Sequence, residues 1–379
     1  MIYLDNAATT YPKPEAVYRA MDEANRKLCI NAGRGSYSLA RTASKMISET
    51  KTLLRQLVHV EASSGVIFSP SITIAMNQVI NGIEWIENSV VYLSPYEHNA
   101  VARTINKVAK QYNLRVKLIP LYEDTLEINL EKLKYEFSKE KPSAVFCTHV
   151  SNVTGYILPV SEIFEEAKKY DCITVLDSAQ SLGLIEIDVR RLNVDIIGFA
   201  GHKCLYGPFG IGGFINVSNI PLKEFITGGT GSDSLSLEMP TGNEEKYEAA
   251  SSNIVAIAGL RTALDVLDVQ QIYKHKRELT EYLVEKLNLL SNVNLFVPSD
   301  KNRHIGIISL GVDGYKADDV ATILDEDYDI AVRAGYHCAP YIHSHLKNDK
   351  YLGTVRVGIS QFTTKEEIDK LVVALSDLE

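Results

Sequence analysis

An aspartate and a lysine stand at comparable places after two successive apolar runs. Asp177 closes Ile173-Thr-Val-Leu-Asp, and Lys203 follows the run Asp195–Ala200, in Gly201-His-Lys-Cys-Leu-Tyr-Gly-Pro. Taken singly, each has an ordinary explanation: aspartate is a favoured helix N-cap, and a surface lysine snorkels to solvent. Together they match the needs of an electron-sink cofactor such as pyridoxal phosphate, which requires a lysine for its Schiff base and a carboxylate to keep its ring nitrogen protonated. A lysine hemmed in by glycines and aromatics is poorly placed for solvation, and burial would lower its pKa towards nucleophilic amine chemistry. The third residue is Cys338, in Arg333-Ala-Gly-Tyr-His-Cys-Ala-Pro. With His337 adjacent and Arg333 close by, it reads as an exposed loop thiol whose neighbours favour the thiolate. The other four cysteines, Cys29, Cys147, Cys172 and Cys204, read as small buried apolar residues.

The elements that must position these residues follow from periodicity. Pro14–Lys27 and Ala43–Val58 read as amphipathic helices. Beyond Ser69, short β-rich runs (Val90–Ser94, Val116–Leu121, Ala144–Thr148, Ile173–Asp177, Asp195–Ala200, Ile211–Val217) alternate with helical ones (Ala100–Tyr112, Leu130–Lys139, Val160–Tyr170). Apolar strands alternating with helices predict βαβ units and an α/β fold with a mostly parallel sheet, which binds ligands at the carboxyl ends of its strands. Asp177 and Lys203 then share one edge. A helical stretch, Ile254–Asp268 and Ile272–Leu290, breaks the rhythm, followed by two strands, Ile305–Val312 and Thr354–Ser360, and a terminal helix from Thr364. The predicted division is a large domain over 15–260 and a smaller α+β domain over 261–379, with residues 1–14 packing near the latter.

Composition narrows the function classes. The 379 residues are 45% apolar and 23% charged, ordinary for a folded globular chain. Lys+Arg number 39 against 48 Asp+Glu, a formal charge of −9 with no basic run, which argues against nucleic acid as a partner. The uncharged window Cys204–Leu222 is interrupted by glycines and prolines and makes a poor membrane span. No signal peptide is evident, and five widely spaced cysteines fit a reducing compartment, so a cytoplasmic location is expected. Two motifs fail on context. Gly207-Pro-Phe-Gly-Ile-Gly-Gly leads into a strand rather than from strand to helix, so it is not a dinucleotide loop. His337, Cys338, His343 and His345 lack the spacing of a zinc site, and no metal is expected.

Six segments in order, Tyr3-Leu-Asp-Asn-Ala-Ala-Thr-Thr, Glu97-His-Asn-Ala, His149-Val-Ser-Asn-Val-Thr-Gly, Asp177-Ser-Ala-Gln, Gly201-His-Lys and Arg333-Ala-Gly-Tyr-His-Cys-Ala, resemble the class V aminotransferase family over essentially the whole chain. Within it they are most similar to the cysteine desulfurases of the SufS-like and selenocysteine-lyase-like type. The resemblance implies a fold-type-I, pyridoxal 5'-phosphate-dependent homodimer with active sites at the subunit interface. It implies Lys203 as the Schiff-base lysine, Asp177 on the pyridinium nitrogen, Gln180 and Asn152 near the phenolic oxygen, and His98 stacked on the ring and assisting proton transfers. It further implies Thr73 and His202 on the phosphate, with Ser251 completing that cup from the partner subunit. Arg356 would grip the substrate carboxylate, with Arg333 beside it, and Cys338 would take sulfur from L-cysteine as a persulfide destined for an acceptor protein. The same scaffold also serves selenocysteine lyases, aminotransferases, racemases and non-catalytic cofactor binders. Several phosphate-side positions depart from the family pattern: Ser71-Ile72-Thr73 replaces a Gly-Thr-Thr-like turn, Ala200 a serine, and Ala250-Ser251-Ser252-Asn253 a Gly-Thr-Pro-Asn segment. Gly228-Gly-Thr-Gly-Ser232 reads either as a compensating source of backbone N–H groups or as a plain turn.

Overall fold

The structure, a computed structural model, describes residues 1–32, 35–232, 234–242 and 244–378. A short strand β1 (Ile2–Tyr3) precedes seven strands that form the large sheet: β2 (Gly65–Ser69), β3 (Val90–Leu93), β4 (Arg115–Leu118), β5 (Ala144–Thr148), β6 (Ile173–Asp177), β7 (Ile196–Ala200) and β8 (Gly212–Asn216). Their spatial order is β2-β8-β7-β6-β5-β3-β4. The pairs from β4 to β7 are parallel, and β8 is antiparallel to both neighbours, so six strands run one way and only β8 runs against them. Helices α1 (Glu15–Lys27), α2 (Ser38–Leu57), α3 (Ile72–Gly82), α4 (Asn99–Tyr112), α5 (Leu130–Lys139), α6 (Val160–Lys168) and α7 (Val189–Leu192) belong to this part of the chain. Strands β3, β5 and β7 are buried along their whole length, which is why their sequences are apolar runs without alternation.

The two sheet edges are protected differently. At β4 the exposed Arg115 and the half-buried Lys117 pair with Glu136 and Glu140, a charged edge that discourages further strand pairing. At β2 the outward amides of Val66 and Phe68 donate to the carboxylates of Glu244 and Glu248, at 2.9 and 2.6 Å. Lys51 Nζ, buried on α2, holds both carboxylates at 2.7 and 2.9 Å. The segment leading to Ser251 is thereby fastened to the sheet.

Helices α8 (Ile254–Asp265) and α9 (Val269–Leu287) follow, and α8 packs on α1 and α2. A four-stranded antiparallel sheet then forms in the order β12-β13-β10-β9, from β9 (Val293–Phe296), β10 (Ile307–Val312), β12 (Arg333–Gly335) and β13 (Thr354–Gly358). The short β11 (Ile330–Ala331) pairs in parallel with β1, and Asp5 bridges to Gly358. Leu4 is buried in the same apolar cluster as Leu279, Leu310, Val355 and Leu371. Helices α10 (Ala317–Tyr328), α11 (His343–Leu346) and α12 (Lys365–Ser376) complete the chain. A capping box between Thr364 and Glu367 starts α12, in agreement with the sequence.

Elements absent from the sequence reading share a physical cause. Helix α3 is buried on most sides (Ile72, Ala75, Met76, Gln78, Val79, Ile80), so its polar face is only the narrow uncharged stripe Thr73, Asn77 and Asn81, a weak signal of helical period. Strands β1, β11 and β12 are two or three residues long and exist through pairing alone. Cys29 corrects an expectation: it is exposed just beyond the end of α1, while Cys147, Cys172 and Cys204 are buried as expected.

Candidate active site

Asp177 and Gly198 are register partners on β6 and β7, so the turn after β7 delivers Lys203 to the strand edge where Asp177 ends. The Asp177 side chain is buried and accepts from the Ala179 amide at 2.9 Å; among the described residues no cation lies within ion-pair distance of it. Burial pushes its carboxyl pKa up, opposed by that amide and by the charge of Lys203. Burial likewise pushes the Lys203 amine down, opposed chiefly by Asp177. The lysine is therefore an amine with a reduced affinity for its proton.

The backbone that carries Lys203 is held from the N-terminal segment. The His202 carbonyl accepts from Thr9 Oγ1 at 3.0 Å, Thr10 N at 3.1 Å and Lys13 Nζ at 2.8 Å. The Lys203 carbonyl accepts from Thr10 Oγ1 at 3.0 Å. Gln180 Nε2 reaches the same segment, donating to the Ala7 carbonyl at 2.7 Å. None of Ala7, Thr9, Thr10 or Lys13 stood out in the sequence as more than part of a motif.

His98 is the N-cap of α4, its Nδ1 accepting from the Ala100 amide at 3.0 Å. That bond leaves the ring proton on Nε2. Burial, with Lys203 and Arg356 nearby, holds its pKa at about 4, so the ring is neutral at pH 7. The adjoining Glu97 points inward: Oε1 accepts from Ser94 Oγ and from the Thr148 amide, both at 2.6 Å, while Oε2 is buried without a partner. Burial and the charge of Asp177 push the Glu97 pKa up to about 8. The folded state therefore keeps a proton that the unfolded chain releases near 4.5, so this residue's contribution to stability is present at low pH and is lost as pH rises towards about 8. The variant Glu97→Gln should lose less stability between about pH 5 and about pH 8 than the wild type, by a few kcal/mol. Thermal melts at the two pH values measure this, and parallel profiles would refute it.

Arg356 lies on β13, 3% exposed. Its Nη1 donates to the Asn152 carbonyl at 3.0 Å and its Nη2 to Asp5 Oδ1 at 2.9 Å, while Nε is buried without a partner. Arg333, its direct cross-strand partner on β12, donates to Asp5 Oδ2 at 3.0 and 2.9 Å. Asn152 Nδ2 donates to the His337 carbonyl at 2.7 Å, which ties Arg356 to the loop carrying Cys338. Cys338 is exposed; it and His337 both adopt left-handed backbone (φ 55° and 47°), an unusual pair for non-glycine residues and one that concentrates at functional sites. The Asn99 amide at the start of α4 donates to the Cys338 carbonyl at 2.7 Å. The charges of Lys203, Arg333 and Arg356 all interact with this thiol.

One expectation needs correction here. His337 does not supply positive charge to Cys338: its Nε2 faces Thr354 Oγ1 at 2.8 Å, and burial drives its pKa to about 2. The cations around the thiol are the arginines and the lysine. Outward from Cys338 opens a groove of about 520 Å³ that includes Asn99, Arg103, Tyr336 and Tyr341.

The class V aminotransferase model matches residues 2–371. The chain belongs to this family. It is 33% identical to a probable cysteine desulfurase of Halalkalibacterium halodurans, covering 99% of this chain and 92% of the relative. A probable cysteine desulfurase of Pyrococcus abyssi is 32% identical, with coverage of 100% and 94%. Among solved structures, the apo cysteine desulfurase of Thermococcus onnurineus superposes with a TM-score of 0.92 at 28% identity, covering 100% of this chain and 94% of that one. The fold is accordingly that of the pyridoxal-phosphate enzymes of fold type I.

Class V aminotransferases work with pyridoxal phosphate, and the residues present suit it. Asp177 is a buried carboxylate without a cation, which a protonated ring nitrogen would neutralise. His202 Nδ1 is buried without a partner, and the ring stacks on Phe209 at 4.6 Å. Thr73 lies exposed in the first turn of α3, where early amides have no partner within the helix. Ser71 is the N-cap of that helix, its hydroxyl accepting from Ile74 N at 3.3 Å, so the altered turn keeps a working cap. Ser251 is exposed and accepts from Asn31 Nδ2 at 3.4 Å; within one chain it makes no bond to the Lys203 turn. Residues 228–232 border a cavity of about 760 Å³ that excludes Lys203, Asp177 and His98.

Proposed function

We propose that this class V aminotransferase family member is a cysteine desulfurase, converting L-cysteine to L-alanine and leaving the sulfur as a persulfide on Cys338. The observation that carries the reading is the exposed thiol of Cys338 held on a strained loop among Lys203, Arg333 and Arg356. An aminotransferase or racemase has no use for such a thiol. The names of the two relatives and of the solved structure point the same way.

Pyridoxal phosphate, when bound, supplies a sink for the electrons of the substrate Cα–H bond. Lys203 holds it and afterwards, as a free amine of lowered pKa, removes the Cα proton. Asp177 would keep the ring nitrogen protonated, and Gln180 and Asn152 would attend the phenolic oxygen. His98, neutral with its proton on Nε2, would stack on the ring and offer a donor for proton transfers. Thr73 and His202 receive the phosphate. Arg356 takes the substrate carboxylate, for which a guanidinium offers a planar two-point match. The Cys338 thiolate attacks the substrate sulfur: the S–S bond forms, the Cβ–S bond breaks, and its electron pair remains on the carbon, which is protonated to give alanine.

The outward placement of Ser251 supports a homodimer in which each subunit completes the other's phosphate cup. The groove beside Cys338 supports approach of an acceptor thiol to the persulfide. Among the described residues no helix is long and apolar enough to cross a membrane. A cytoplasmic, reducing setting belongs to the proposal because an exposed carrier thiol must be regenerated. We also propose the division into a large unit over 15–260 and a smaller one over 261–379, with residues 1–14 packed near the latter. The test of function is a product assay on the holoenzyme with L-cysteine and L-selenocysteine side by side. With a thiol reductant present to release the persulfide sulfur, alanine in equal amount to sulfide from cysteine is expected. Keto acid or inverted amino acid would overturn the reading, and turnover of selenocysteine alone would replace it with a selenocysteine lyase.

A further inference from the structure

Two arginines face each other across β12 and β13, Arg333 opposite Arg356, although like charges directly opposite in a ladder repel. One carboxylate holds them both. Asp5 arrives from the N-terminal segment, bridged to Gly358 on β13, and gives Oδ2 to Arg333 and Oδ1 to Arg356. Asn6 Nδ2 fixes the approach by donating to the Gly358 carbonyl at 2.9 Å. The cluster thus contains two guanidinium groups and a single carboxylate. On Arg356, Nη1 and Nη2 are engaged, while Nε, buried on the same edge as Nη2, has no partner. On that edge Asp5 holds Nη2, and Nε alone is left as an unpartnered donor beside it.

We propose that Asp5 is a specificity-determining positioning residue: it cancels one of the two arginine charges, so the carboxylate site presents one net positive charge and favours amino acids with one carboxylate over dicarboxylic ones. The inference rests on the reading that Arg356 receives the substrate carboxylate. Without Asp5, Arg333 and Arg356 would offer two free guanidinium groups on adjacent strands, a pair that a dicarboxylic amino acid can span. With Asp5 in place, a second carboxylate meets an existing one at close range, and like charges at close range exclude ligands effectively. Asp5 also fixes the rotation of the Arg356 guanidinium before substrate arrives, so the site is organised in advance.

The test compares L-alanine and L-aspartate as competitive inhibitors of the holoenzyme and reads the ratio of their inhibition constants. Asp5→Asn should shift that ratio towards aspartate by about tenfold or more, whereas Asp5→Glu should leave it near the wild-type value. In the double variant Asp5→Asn, Arg333→Gln the charge count returns to one, and the ratio should return with it. A residue that merely anchored the N-terminal segment would not be rescued by removing a second anchor. Should Asp5→Asn fail to fold, Arg333→Gln alone still decides, because removing a charge while keeping Asp5 should shift the ratio the opposite way, towards alanine. An unchanged ratio in Asp5→Asn, an unrescued double variant, or no shift in Arg333→Gln each overturns the proposal. Arg356→Ala separates this from the reading beneath it: undiminished alanine binding there would sink the role of Arg356 itself, whereas lost alanine binding together with a flat Asp5 ratio would sink only the role of Asp5.

Discussion

Lys203→Ala should reduce sulfide release from L-cysteine to background, a loss of about four orders of magnitude or more, because one amine both holds the cofactor and moves the Cα proton. The structure explains why no neighbour substitutes. Lys13, a half-buried lysine of the N-terminal segment, is tied by its Nζ to the His202 carbonyl at 2.8 Å and to Thr10 Oγ1 at 2.9 Å. Its pKa falls to about 7 through burial, yet its bonds hold it to the backbone behind Lys203. The purified wild-type protein should carry an absorbance band near the visible edge that the variant lacks. Retained turnover in Lys203→Ala, or a wild-type protein that shows no band when supplied with the cofactor, would refute the assignment.

Cys338→Ala should abolish sulfide formation to a comparable degree while leaving that absorbance band in place. No hydrogen bond joins the thiol to the Lys203 turn among the described residues, and its exposure means that truncation leaves no buried cavity. The variant therefore separates cofactor binding from sulfur transfer. Cys338→Ser keeps the shape but lacks a nucleophile able to form a persulfide, so it should be equally inactive. Of the other cysteines only Cys29 is exposed, at the far end of α1, and Cys29→Ala should leave the activity unchanged. Normal sulfide output from Cys338→Ala would eliminate the persulfide step.

The parts of this site that were legible in the sequence are those where chemistry constrains the residue type. Asp177 and Lys203 were recognisable because one ends an apolar strand and the other stands just beyond the next, and the parallel sheet places both strand ends on one edge. Cys338 was recognisable as a thiol outside any apolar run. Arg356 was named from the resemblance, but its burial was not, since an arginine in a terminal strand reads equally as a surface charge. The N-terminal contributions of Asp5, Thr10 and Lys13 were not legible as contacts, because nothing local in Asp5-Asn-Ala-Ala-Thr-Thr encodes partners 328 and 351 positions away. His337 misled for a related reason: adjacency in sequence to Cys338 implied a charge near sulfur, while the left-handed turn points its ring into Thr354 and burial neutralises it.

The distance between Asp5 and its arginines also bears on how the protein is made. Asp5 and Arg356 stand 351 positions apart, so their ion pair closes a loop of that length. Loop closure of this length opposes early formation and places the contact late in folding. The large sheet, complete by residue 216, can gather Asp177 and Lys203 while the chain is still emerging. The arginine proposed to receive a carboxylate arrives only with β13. A nascent chain stalled before that strand holds Lys203 and Asp177 without Arg356, so a site with the proposed carboxylate grip is assembled only after β13 has emerged.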